Sequence, residues 1–399
     1  MNKAIVALAA VIMGFYAGAG APNDQETTNS GGLLPFKEGG DYEYWGFMDR
    51  SGKVVIPATY DAARPFSEGL ALVWDRGYPA YIDRTGREIW APPDILDLNE
   101  DDLIELEIKL GNFQEGLACV REKGLFGFID KTGKYAIKPQ FLLADGFLEG
   151  LAWAKTAEGI GFIRKDGTFA VKPQYESAGL FSGGLAPVML GEKWGYIDKT
   201  GKVVIKMQFD KAGSFTEGLA SFGIRNPGEK KRIGFLAELR EDYNFPGKCG
   251  YIEKSGKVFI SAQFDEAYYF SEGLAAVRKG KLWGYIDKTG NFLDAQFEKA
   301  DYFSEGLAAV RKGKLWGYID KTGNFLIEPQ FDLTTPFSEG LAAVNKGGKW
   351  GYVDKTGRMP INPQFDVAGD FVDGLAMVWL GKNMGYILPT GKFFWGPSK

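Results

Sequence analysis

The chain has 399 residues, 47 basic and 51 acidic side chains, no histidine, 45% apolar residues and a net charge of −4. Such a composition can bury a core, and it offers no sequence-wide positive field for nucleic acid or an anionic membrane. Without histidine there is no Ser-His-Asp or Cys-His nucleophile and no His-ligated zinc, and the two cysteines, Cys119 and Cys249, form no CxxC pair.

In chain order, the first predicted element is an export signal. Lys3 is the positive n-region, Ala4 to Tyr16 is an apolar h-region, and Ala17-Gly18-Ala19 is a small-residue cleavage motif. Residues 1–19 are therefore expected to be a signal peptide, and the protein periplasmic or secreted. The apolar run is too short to cross a bilayer, and no later run replaces it, so no transmembrane segment is expected in the mature chain. Residues 20–43 are polar and Gly-rich and are expected to be a flexible lead-in.

From residue 44 to 396 the chain repeats itself. Gly46, Gly127, Gly161, Gly195, Gly250, Gly284, Gly317, Gly351 and Gly385 recur in one context, with Ala80 in the same place in a degenerate copy. The spacing is 33 or 34 residues except for two intervals of 47 and 55, which carry insertions near 91–110 and 223–248. Within a unit, Lys193-Trp194-Gly195-Tyr196-Ile197-Asp198 reads as a strand, Lys199-Thr200-Gly201 as a turn and Lys202-Val203-Val204-Ile205 as the return strand. A third strand begins at Leu219-Ala220 after the loop closed by Phe215-Thr216-Glu217-Gly218. The pattern predicts an all-β protein built from three-stranded antiparallel units of about 34 residues, each stacking on its neighbours.

Trp-Gly-Tyr-Ile-Asp-Lys-Thr-Gly, then Pro-Gln-Phe-Asp (Pro329 to Asp332), then Phe-Ser-Glu-Gly-Leu-Ala (Phe337 to Ala342), resembles the WG-repeat family of bacterial proteins. The resemblance implies a repeat architecture but no shared catalytic site. Phe270–Leu293 and Phe303–Leu326 are identical over 24 residues, a duplication that implies tolerance of repeat number. An open solenoid or superhelix is expected on that ground, with a closed or two-lobed β-propeller as the alternative.

The recurring side chains have structural and functional readings. At the tryptophan position Phe126, Ile160, Cys249 and Met384 replace Trp, which preserves apolar volume but not flatness and favours packing. The next position on the same strand face is aromatic in every unit, and Tyr196, Tyr285, Tyr318 and Tyr352 are candidates for stacking on a glycan, with core packing as the competing reading. The recurrent Asp before the turn (Asp49, Asp198, Asp354) reads as a turn cap, since one carboxylate per unit falls short of a calcium site.

The insertions break the uniformity and supply the candidate partner-binding residues Asp94, Asp97, Asp101, Asp102, Lys230, Lys231 and Arg232. No catalytic constellation, cofactor motif or metal set is legible. The sequence points to an exported, monomeric, non-enzymatic scaffold for a protein partner, or alternatively to a binder of cell-envelope glycan.

Overall fold

The computed structural model describes residues 32–38, 43–93, 110–229 and 245–396. The chain divides into two compact units, one of residues 1–147 with 165–167 and one of residues 148–164 with 168–399. Among the described residues every regular element is a strand.

The sheet near the C-terminus of the second unit shows how a repeat folds. Leu333–Thr334, Leu341–Lys346, Lys349–Asp354 and Ile361–Phe365 lie side by side in sequence order as an antiparallel meander. Val344 faces Gly351 and Trp350 faces Phe365, and the return strand bulges where Tyr352 meets Ile361. Five further sheets of this unit repeat that four-stranded order: Ser177–Phe209, Lys211–Phe264, Glu266–Phe297, Lys299–Phe331 and Val367–Trp395. Ala152–Thr156, Gly159–Ile163 and Phe169–Tyr175 run together in the same way.

In the first unit Ala62–Ala63, Leu70–Asp75, Tyr78–Asp83 and Glu88–Trp90 form one four-stranded sheet, and two three-stranded sheets flank it in sequence. Leu34–Glu38, inside the expected flexible lead-in, is a strand paired with Tyr44–Met48 in the place the Leu-Ala-Ala-Val strand takes elsewhere.

These sheets are the blades of a β-propeller, and the expected open solenoid of three-stranded units is overturned. The expected count is one short because in most of these sheets the additional strand is only two residues long and carries no alternation. The blade also straddles two sequence repeats: the third strand of one repeat pairs with the Trp-Gly strand of the next. Tolerance of an extra unit fixes neither feature.

Core packing lies between successive sheets. Leu341 and Ala343 pack with Phe371, Ala376, Val378 and Ile387 of the following sheet, while Ala342 and Val344 pack with Leu307, Ala309 and Tyr318 of the preceding one. A strand covered on both faces has no polar side to show, so Leu341–Val344 is apolar without alternation, and its alanines let neighbouring sheets approach.

Candidate partner-binding site

The candidate glycan-stacking tyrosines present no ring face to solvent. Tyr196, Tyr285, Tyr318 and Tyr352 are at most 1% exposed. Each meets the loop-closing phenylalanine edge-on, with ring centroids 5.0 Å apart for Tyr196–Phe215 and 4.8 Å for Tyr352–Phe371. Their hydroxyls donate to half-buried backbone carbonyls: Tyr196 to Gly213 at 2.7 Å, Tyr285 to Asp301 at 2.8 Å, Tyr318 to Thr335 at 2.7 Å and Tyr352 to Gly369 at 2.7 Å. Burial pushes these phenols above their ordinary pKa. A ring enclosed on both faces cannot stack on a sugar, so this row is core. Asp94, Asp97, Asp101 and Asp102, and likewise Lys230, Lys231 and Arg232, lie outside the described residues.

The recurrent polar residues hold the backbone. Asp198 Oδ1 accepts from the Thr200 amide at 2.9 Å, the Thr200 hydroxyl at 2.6 Å and the Lys202 amide at 3.1 Å, and Asp49, Asp130 and Asp354 repeat the arrangement. The serine of the closing loop joins one blade to the next: Ser271 donates to the Phe303 carbonyl at 2.7 Å and Ser338 to the Phe371 carbonyl at 2.7 Å. The glutamate beside it is a second clamp. Glu272 accepts from the Gly306 amide at 2.9 Å and pairs with Lys321 at 3.1 Å; Glu305 does the same with Gly340 and Lys355, and Glu149 with Gly184 and Lys199. The repeat motif is thus largely consumed in building the propeller.

A set of polar and aromatic residues outside this scheme sits just before the loop-closing phenylalanine. Gly213-Ser214, Thr335-Pro336, Arg64-Pro65 and Asp145-Gly146 stand there in other repeats, whereas three nearby repeats of the second unit carry Tyr268-Tyr269, Asp301-Tyr302 and Gly369-Asp370. The second of these belongs to a repeat one residue shorter than its neighbours, whose strand extends over Lys299–Ser304 instead of two residues. Tyr269 and Tyr302 face each other with centroids 5.8 Å apart, and the exposed Tyr268 ring lies 4.7 Å from that of Trp283.

Two half-buried carboxylates join these rings. Asp301 Oδ1 accepts from the Tyr302 amide at 2.8 Å, and Asp370 Oδ1 accepts from the Thr335 hydroxyl at 2.6 Å. Burial raises both carboxyls above the ordinary range, and among the described residues neither meets a lysine or arginine. Burial, and then the charges of Asp301 and Asp370, push up the Tyr302 hydroxyl. Aromatic faces beside carboxylates that lack a cation suit a guanidinium or ammonium group. The sequence signal for this patch was departure from the repeat in one dipeptide, together with the missing residue after Leu293. Among the described residues no three acidic or cysteine side chains converge as a metal site, and no helix is long and apolar enough to cross a membrane.

Meander blades of this kind place the chain among β-propeller repeat proteins. The model of the WG containing repeat matches residues 45–73, 126–157, 160–194, 194–226, 250–283, 283–316, 316–350 and 350–382, and the chain belongs to the WG-repeat family. No curated protein matches it. Among solved structures, a crystal structure of a eukaryotic initiation factor is similar at a TM-score of 0.53 and 10% identity, over 92% of this chain and 95% of that one. Citrobacter koseri AztD is similar at a TM-score of 0.37 and 12% identity, over 82% and 90% of the two chains. The likeness to the initiation factor is one of fold.

Proposed function

We propose that this WG-repeat propeller is an exported, non-enzymatic scaffold that binds a protein partner in the periplasm or outside the cell. The partner presents a basic side chain to the patch around Tyr269, Asp301, Tyr302 and Asp370. The observation that carries this reading is the pair of half-buried carboxylates without a cation, set among tyrosine rings, on a scaffold whose repeated polar groups are occupied in holding itself together. A neutral sugar would leave both charges unpaired; a cation would complete them.

A pull-down on cell-envelope and culture-medium extracts, with residues 20–399 as bait, tests it. Parallel baits carry Asp301→Asn with Asp370→Asn, or lack residues 94–109 and 230–244. The reading expects a saturable protein partner that the double substitution releases. Loss of the partner only with the insertions would move the binding surface there, and no enriched protein at all would remove the scaffold reading.

A further inference from the structure

One repeat keeps the glycine and the lysine of the glutamate–glycine–lysine clamp without its glutamate. Each complete clamp brings a loop glutamate to the amide of the next repeat's glycine and to a lysine one repeat further on: Glu68 with Gly116 and Lys131, Glu217 with Gly273 and Lys288, Glu272 with Gly306 and Lys321, Glu305 with Gly340 and Lys355. In the fourth repeat Gly183 stands where the glutamate belongs. Its two donors remain. The Gly218 amide and the Lys254 ammonium have no acceptor among the described residues, and Lys254 Nζ lies over Gly183, 2.6 Å from where a Cβ would be.

Gly183 keeps the backbone form of the missing residue. Its φ is 60°, against 53° at Glu149, 50° at Glu217 and 51° at Glu272. The gap is therefore in the side chain alone, and it retains the donor set that binds a carboxylate in the sibling clamps.

We propose that the Gly218 amide and the Lys254 ammonium beside Gly183 form a carboxylate-binding site, filled by an aspartate, glutamate or C-terminal carboxylate of a protein partner. The source of the carboxylate rests on the scaffold reading; the site itself does not.

The test is an amide-resolved NMR titration of the full chain with sodium acetate, against sodium chloride at equal ionic strength. The Gly218 amide is expected to shift saturably with acetate, with a midpoint in the millimolar range, and not with chloride. Gly183→Glu should move that resonance to its bound position in advance and abolish the acetate response, and Lys254→Met should weaken the response several-fold. An acetate response equal to that of chloride, or one that persists in Gly183→Glu, would overturn the site. Because the probe is acetate alone, a failed pull-down leaves this result unaffected, and a failed titration leaves the pull-down unaffected.

Discussion

A tyrosine hydroxyl and two aspartates separate what holds this protein together from what it offers to a partner. Tyr352 fills a core position that Phe47, Phe128 and Phe162 occupy in other repeats, so Tyr352→Phe keeps the packing and removes only the 2.7 Å bond to the Gly369 carbonyl. A lost buried hydrogen bond of this kind costs about 1 kcal/mol, read as a lower urea midpoint with the slope unchanged. Asp301 and Asp370 should behave oppositely. Burial holds their folded-state pKa above the unfolded value of 3.8. Below that value both are protonated in either state and make no difference. As pH rises through it, the unfolded chain loses its protons first, and the folded protein becomes less stable until its own carboxyls ionise. Asp301→Asn and Asp370→Asn keep the Tyr302 and Thr335 bonds, so each should raise the melting temperature at pH 7, with the gain vanishing near pH 3. A loss of stability at pH 7 would mean that these charges are paired after all. The tyrosine row was legible in the sequence as aromatic, but its burial was not, because alternation within one strand does not reveal that a second sheet covers the other face.

At the scale of the blade, the Trp-Gly glycine and the loop glutamate matter for different reasons. A Cβ on Gly195 would lie 2.5 Å from the Ile205 carbonyl oxygen and 2.8 Å from the Met207 amide nitrogen, where the return strand bulges towards it. Gly195→Ala must displace backbone and should cost about 3 kcal/mol, visible in thermal unfolding. Ala80 is the instructive exception: there the return strand is only Glu88–Trp90, and Tyr81 pairs with Trp90. Glu149 accepts from the amides of Gly183 and Gly184 at 2.6 and 3.0 Å and pairs with Lys199 at 3.1 Å. Burial works against its charge, yet Lys199 and the two amides outweigh it and hold its carboxyl below the ordinary 4.5. The stability it adds is therefore present above that pH and is lost as pH falls through the folded value. Glu149→Ala should cost about 1–2 kcal/mol at pH 7, discounted for partial exposure, and less under acid conditions. This clamp was hidden from the sequence because its partners lie 35 and 50 residues away, in two different later repeats. The strand, turn and return strand were legible because residues close in the chain make them.

For the whole molecule, repetition explains both the fold and the location of its exceptions. Residues that recur in every repeat bind backbone and neighbouring blades, whereas a partner needs something that occurs once. Asp301-Tyr302 arises where one repeat is a residue short, and Gly183 where one glutamate is missing. The insertions stand out in the sequence whereas these departures do not, because single substitutions in a diverged array look like drift until their neighbours in space are known. On the proposed reading, construction and recognition reside in separable residues. The most direct test compares Asp301→Asn/Asp370→Asn with Glu149→Ala in paired measurements of melting temperature and partner capture at pH 7. The aspartate variant is expected to be more stable and to release the partner, and the glutamate variant to be less stable and still capture it below its melting temperature. An aspartate variant that keeps its partner, or a glutamate variant that loses it while folded, would contradict the claim.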